Sequence, residues 1–346
     1  MEKVLGMDLG DKVHVVVVFD EEGREVRVAR VANKAREVEK FFRVYAGAAV
    51  VMEAGTHSGW ISRLLVGMGH RVLVGNPRKL RVIWDAPDKS DERDARMLGL
   101  VYRLEPRLLH EVFHRSARGQ ADLEWVKARA QLVACRNKLI NHVRMVAKGM
   151  GERLPGSSTA SFHKVAEAAL PEDLRERLDP LMGCVKQLTA AIGEQDRQIG
   201  RACARRYPET ERLRQVPGVG PVTALAYVLT LEEPGRFPKS RMVGAFLGLT
   251  PKRDQSGSSD KQLGITKAGH TYLRQLLVSC AHYILGPFGP PSDLRAYGER
   301  IAARGGKNAR KRAVVAVARK LAVLLHRLWK DGADYVAVRQ VQEDVA

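Results

Sequence analysis

Four acidic residues stand where a fold could gather them. Asp8 closes the run "VLGMD", Glu53 closes "VVME", and Asp91 and Asp94 lie three apart in "KSDERDA". Residues at i and i+3 share one face of a helix, so the last two carboxylates would point the same way. Acids also suit the positive end of a helix dipole, and helix capping is the simpler reading of that pair alone. Brought together with Asp8 and Glu53, however, four carboxylates would repel one another unless a cation neutralised them. Magnesium takes oxygen ligands of this kind, and one or two such ions can hold the attacking and leaving oxygens of a phosphoryl transfer.

A second stretch carries a different chemistry. In "PKRDQSGSSDKQLGITKAGHTYLR", Ser256, Ser258 and Ser259 lie among Lys252, Arg253, Lys261, Lys267 and Arg274. A serine hydroxyl surrounded by cations can attack a phosphodiester, because the cations stabilise the developing negative charge. The plainer reading of a Ser/Gly loop is a flexible linker. Lys261, Lys267 and Arg274 are the candidates for holding phosphates. A third stretch, "VPGVGPVTA", reads as a helix-hairpin-helix turn. The backbone N–H groups of Gly218, Val219 and Gly220 could meet a phosphate at the start of the following helix, although a plain helix–helix turn has the same pattern. His14, His57, His142 and His270 have no partners at metal-ligand spacing.

The elements that must position these groups follow from the apolar pattern. "KVLGMDLG", "KVHVVVVFD" and "EEGREVRVARV" read as a three-strand meander. "AREVEKFFRVYA" has helical spacing, "AAVVMEAG" is a fourth strand, "SGWISRLLVGMG" a helix, and "HRVLVGNP" a fifth strand stopped by Pro77. Residues 91–104 form the helix that bears Asp91 and Asp94. Antiparallel strands followed by βαβ units describe an α/β, ribonuclease-H-like (RuvC-like) domain over residues 1–110, with Asp8 and Glu53 side by side. A strand–Asp–Gly turn also opens sugar-kinase and actin-like ATPases, but the further glycine-rich phosphate loops of those folds are not found. Residues 119–205 hold two long amphipathic helices with Leu123, Val126, Val133, Ile140 and Val143 on one stripe, suggesting a coiled-coil arm. Residues 207–346 read as an α-rich domain containing the helix-hairpin-helix-like turn and the serine loop, with Trp329 anchoring the last helix.

The bulk composition sets the class of partner. The 346 residues include 58 Lys and Arg against 39 Asp and Glu, a net charge of +19, which favours a polyanion such as nucleic acid. Hydrophobic residues make up 45%, enough for packed cores. No apolar run of ~18 residues could span a membrane, and "MEKVLGMDLG" enters a strand pattern without a signal peptide. Cys135, Cys184, Cys203 and Cys280 are scattered, so neither a disulfide framework nor a zinc site is expected, and the chain reads as cytoplasmic.

Taken together, these motifs resemble the DEDD transposases of the insertion sequence 110 family, including its 1111 subgroup: RuvC-like recombinases guided by a bridge RNA. The resemblance rests on "MDLGDKVHVV", "VVMEAGTHSGW", "VGNP" and "KSDERDARMLG" in the first part. In the last part it rests on "VPGVGPVTALA", "FLGLTPKRDQSGSSDKQLGITKAGHTYLRQLL" and "ARKLAVLLHRLWKDG". It implies that Asp8, Glu53, Asp91 and Asp94 form a magnesium-binding tetrad, with no organic cofactor. It places a nucleophilic serine, which forms a covalent link to DNA, at Ser256. The sequence "QSGSSD" departs from the family's double-Ser-double-Gly pattern, so Ser258 and Ser259 stay open as alternatives. The resemblance further implies donor and target DNA, a bridge RNA, a homodimer or homotetramer in which different subunits complete each site, and work at the nucleoid. A junction-resolving nuclease that uses water, and a non-catalytic nucleic-acid scaffold, are the two other functions weighed.

Overall fold

The computed structural model describes residues 2–84, 90–256 and 259–338; the side chains of 81–84, 254 and 259–262 also fall outside that description. By packing, the chain divides into two compact units, Met1–Arg118 and Gly119–Ala346.

The first unit is built on one five-stranded sheet. Its elements run β1 (Val4–Asp8), β2 (Val13–Phe19), β3 (Glu25–Ala32), α1 (Ala35–Phe42), β4 (Ala49–Glu53), α2 (Ser58–Gly67), β5 (Arg71–Gly75), α3 (Pro77–Trp84) and α4 (Asp91–Leu104). The strand order is β3-β2-β1-β4-β5. β1, β2 and β3 are antiparallel neighbours, whereas β4 lies parallel to both β1 and β5. Strands β1, β2 and β4 are nearly continuous apolar runs because both sheet faces are covered, as central strands require. Leu5, Met7, Val16, Val18, Val50 and Met52 pack on one face with Val38 and Phe42 of α1 and Ile61 and Leu65 of α2. Val4, Val15, Val17, Phe19, Ala49 and Val51 pack on the other with Leu80 of α3 and Ala95 and Leu98 of α4.

Helix α4 begins at Asp91, where the sequence predicts it. The Ser90 hydroxyl caps it by accepting the Arg93 N–H at 3.2 Å. The helix lies directly on β1. A methyl group at Gly6 would sit 1.9 Å from the Ala95 carbonyl oxygen, and one at Gly99 would sit 2.5 Å from the Phe19 ring. Only glycine permits either approach. The helix is tied to the meander as well: Arg96 Nε donates to Glu25 Oε2 at 2.6 Å, and Arg103 Nη1 donates to the Asp20 carbonyl at 3.0 Å.

The second unit opens with a helical pair. Helix α5 (Ala117–Gly149) and helix α7 (Glu172–Arg206) run antiparallel, with the short α6 (Phe162–Ala169) between them in sequence. Their register is read from Arg129 with Asp196 and Arg136 with Thr189, and from Val143 and Met182 in one apolar cluster with Phe162 of α6. Leu123, Val126, Ile140 and Val143 are buried as the stripe predicts, while Val133 is half-buried and Arg136 lies buried between them.

The remaining elements pack into one core. They are α8 (Glu209–Arg214), α9 (Pro221–Leu231), α10 (Arg241–Phe246), β6 (Pro251–Ser256), β7 (Ser259–Ile265), α11 (Thr271–Leu285), α12 (Asp293–Ala303) and α13 (Ala309–Asp331). Helix α9 is buried on every side from Thr223 to Leu231, the state expected of a helix apolar all round. Tyr227 donates from this core to the Ala322 carbonyl of α13 at 2.6 Å. Trp329 packs against the same core, as expected. The serine stretch differs from the sequence reading: β6 and β7 form an antiparallel hairpin with Ser256 opposite Ser259. Among the described residues no helix is long and apolar enough to cross a membrane.

Substituting Gly6→Ala should drive α4 off β1 and cost about 1–3 kcal/mol by overpacking. Denaturant unfolding of the purified variant measures this, and an unchanged midpoint would show that the helix does not depend on that contact.

Candidate active site

The sheet brings two carboxylates to one edge. Asp8 ends β1 and Glu53 ends β4, and these strands run parallel in register through Met7 beside Met52. Side chains alternate across a sheet, so Asp8 continues the face of Val4 and Gly6, and Glu53 that of Ala49 and Val51. That is the face covered by α4, whose first turn holds Asp91 and Asp94. The loop after Glu53 is held by local bonds. Ala54 N–H donates to the Gly75 carbonyl at 2.9 Å, and the Ser58 hydroxyl both donates to the Gly55 carbonyl at 2.8 Å and accepts its N–H at 2.9 Å.

Asp8 is the half-buried member of the group and feels all the others. Its pKa rises from the ordinary 3.8 to about 6, first through burial and then through the negative charges of Asp91, Asp94 and Glu53, against a hydrogen bond from the Leu9 backbone. Each of the other three predicted acids therefore stands near enough to Asp8 for its charge to be felt there. No three His, Cys, Asp or Glu side chains among the described residues stand close enough to grip a single ion as they are. The donor set nonetheless suits a hard divalent cation, which takes carboxylate oxygens as its ligands.

Elsewhere in this unit, His57 Nε2 lies 3.4 Å from Asp11 Oδ1, and the indole of Trp60 donates to His57 Nδ1 at 3.4 Å. These bonds brace the "GTHSGW" turn that follows Glu53.

In the second unit, Ser256 is exposed at the end of β6, and Lys252 and Arg253 are exposed on the same strand. Ser258 lies outside the described residues, as do the side chains of Ser259 and Lys261. The root of the hairpin is clamped onto the helices. Gly248 and Gly269 both adopt left-handed backbone, and a methyl group on them would lie 2.1 Å from the Ala268 carbonyl oxygen and 1.9 Å from that of Phe246. Lys267, itself at φ +54°, donates its N–H to the Gly248 carbonyl at 3.1 Å. Its side chain is exposed. Arg274 differs: its Nη1 donates to the Leu247 and Ala268 carbonyls at 3.0 and 2.9 Å. It positions the hairpin, a role that a basic residue in a basic segment does not announce. His270 caps α11, accepting the Leu273 N–H on Nδ1 at 3.1 Å.

The turn at 216–220 is tighter than the sequence reading expects. Val219 is buried and its N–H donates to the Val216 carbonyl at 3.0 Å, so this donor is already spent. Gly218 and Gly220 are exposed, and Gly220 precedes Pro221 at the start of α9. Sequence reasoning also missed Gly6, Ser58 and Ser90 as supports of the acidic site. The cap signals at Ser58 and Ser90, a serine at each helix start, could have found two of them.

Two outcomes follow. A carboxyl whose pKa is raised by folding makes the folded state bind protons more tightly, so its contribution to stability falls as pH rises from 3.8 to about 6. Metal-free Asp8→Asn protein should therefore be more stable than the parent at neutral pH, by on the order of 1–2 kcal/mol after solvent screening is allowed for. The two should converge below about pH 4; parallel melting curves at every pH would argue against the convergence of acids. Arg274→Gln should speed amide hydrogen exchange at Thr266 and Lys267 roughly tenfold. Mass spectrometry of the exchanged peptides reads this directly, and unchanged protection would mean the glycine contacts suffice.

Two family models match the chain. One, the Transposase IS116/IS110/IS902 family, covers residues 210–297, and the other, a transposase model of the DEDD type of IS110, covers residues 5–151. The chain is 26% identical to the transposase for insertion sequence element IS1111A of Coxiella burnetii over 334 residues, 94% of this chain and 89% of that protein. It is 29% identical over 299 residues to a probable family 20 transposase of Pseudomonas aeruginosa, covering 84% of this chain and 87% of the relative. It is 25% identical over 281 residues to the transposase for insertion sequence element IS1328 of Yersinia enterocolitica, covering 80% and 82%. The acids lie within the first matched segment and the serine hairpin within the second, and the chain belongs to the IS110 family of DEDD transposases.

Proposed function

We propose that this transposase is a magnesium-dependent, site-specific DNA recombinase that works through a covalent serine–DNA intermediate. The observation that carries the reading is Asp8 at the end of β1, whose carboxyl is pushed up in pKa first by burial and then by the charges of Asp91, Asp94 and Glu53. The order β3-β2-β1-β4-β5, with the antiparallel meander on one side and parallel strands on the other, supports a ribonuclease-H-like domain. The antiparallel α5–α7 pair supports a coiled-coil arm.

The carboxylates of Asp8, Glu53, Asp91 and Asp94 would hold the metal. When bound, it supplies charge neutralisation and polarisation of the scissile phosphate. The chain's own residues do the rest. Ser256 Oγ attacks phosphorus and gives up its proton. The 3′-oxygen leaves with the P–O bond's electron pair and takes up a proton, so the products are a phosphoserine linkage and a free 3′-hydroxyl. In strand exchange a 3′-hydroxyl attacks the phosphoserine, loses its proton, and releases the serine hydroxyl protonated again. Lys252, Arg253 and Lys267 offset phosphate charge along the hairpin. A bridge RNA would supply sequence choice by base pairing. A homodimer or homotetramer, in the cytoplasm at the nucleoid, would bring acidic and serine sites together on donor and target DNA.

Ser256→Ala is expected to abolish denaturation-resistant protein–DNA adducts, and Asp8→Asn or Asp91→Asn to abolish cleavage while DNA binding persists. Gel analysis of adducts on element-end DNA reads all three. Undiminished cleavage by Ser256→Ala would favour a junction nuclease using water, and no effect of any variant would favour a scaffold.

A further inference from the structure

A groove of about 1060 Å³ lies in the second unit between the root of the serine hairpin and helices α10, α12 and α13. The reading of the hairpin above leaves it without a role. Its walls are strongly basic: Arg241, Arg304, Arg312, Arg319, Lys320 and Arg327 line it, together with Lys267 from the hairpin root. Among the described residues the one acid in the lining is Asp293, whose backbone N–H is bound to the Ala337 carbonyl at 2.8 Å. Arg327 meets Asp331 at 3.4 Å, and Arg312 donates to the Gly305 carbonyl at 2.9 Å. Lys320 rests 4.0 Å from the Tyr297 ring. Among the described residues no carboxylate pairs with Arg241, Arg304, Arg319 or Lys320. Like charges gathered this densely destabilise a fold unless an anion offsets them.

Geometry selects the anion. Arg312, Arg319 and Arg327 recur at intervals of seven and eight residues on one exposed face of α13. At about 1.5 Å per residue they stand roughly 10–12 Å apart, close to the width of a duplex groove at about 12 Å. Between them the floor is apolar, with Ala316 and Val323 of the same helix. The root of β6 at Pro251 also lines the groove, while Ser256 is at the strand's far end. Five strand steps of about 3.4 Å put the serine about 17 Å away along the hairpin. A DNA duplex rises about 3.4 Å per base pair, so the same span is about five base pairs.

We infer that this groove grips the sugar–phosphate backbone of duplex DNA about five base pairs from the bond that Ser256 attacks. The position, though not the binding, rests on Ser256 being the nucleophile proposed above. The groove recognises phosphate rather than sequence, because its polar groups are cations on an apolar floor.

The test uses the full-length protein, a labelled DNA duplex of arbitrary sequence and a single-stranded RNA of equal length, with affinity measured by anisotropy against salt. Combined Arg312→Gln, Arg319→Gln and Lys320→Gln should flatten the log–log salt slope on DNA by roughly one per cation removed. Arg312→Lys with Arg319→Lys should keep the slope, which guards against misfolding of the glutamine variant. Lys164→Gln, exposed on α6, is a control expected to change the slope by no more than one cation's worth. Hydroxyl-radical footprints should show protection about five base pairs from the adduct in the parent and not in the triple variant. An unchanged slope on DNA, or a loss confined to RNA, would overturn the inference even where Ser256→Ala abolishes adducts. If Ser256→Ala leaves adducts intact, the mechanism above fails, while a flattened slope would still assign the groove to DNA.

Discussion

The repulsion among four carboxylates at one end of a sheet is the constraint around which the first unit is arranged. Left to themselves, Asp8, Glu53, Asp91 and Asp94 would move apart, and the Asp8 carboxyl, raised in pKa first by burial, is raised further by the other three charges. Apolar packing supplies the opposing force. Helix α4 buries Ala95 and Leu98 against Val4, Val15, Val17 and Val51, and two glycines let helix and strand backbones come into contact. The acids thus ride on elements that cannot separate without exposing a core. In a chain of net charge +19, this concentration of acid at one point runs against the overall charge.

Much of this was legible in the sequence. The strands that carry Asp8 and Glu53 are Val-rich runs closed by turn residues, and the start of α4 at Asp91 was marked by the acids of its first turn. Period-two alternation then put both strand-end acids on the face that α4 covers. The hairpin was not legible. Its strands, "PKRDQS" and "SDKQLGI", are mostly polar, with Ile265 the single β-branched residue between them. Pairing there is fixed by the clamp at the root. Helix α3 follows a proline that reads as a strand stop, and α6 and α12 are short pieces beside Gly/Pro-rich or Ser-rich segments. Arg274 and Val219 show a further limit: which hydrogen-bonding groups are already used depends on neighbours distant in sequence or on local turn geometry. Composition can propose a phosphate contact, but it cannot know that a carbonyl has taken the donor first.

The four acids fall in one matched segment and Ser256 in the other. Each is positioned by its own close backbone approaches, Gly6 and Gly99 in the first unit, Gly248 and Gly269 in the second. Rigid mounting of this kind suits phosphoryl transfer, where the protein contributes chiefly by holding groups in line.

The clamped root of the serine hairpin has a mechanical consequence. A two-stranded ribbon fixed at one end is a lever with its hinge at Gly248 and Gly269 and its load at Ser256. With an arm of about 17 Å, a tilt of about 10° at the hinge swings the tip by about 3 Å. That is about the length of one hydrogen bond. Small angular changes at the root are therefore magnified into ångström displacements of Ser256.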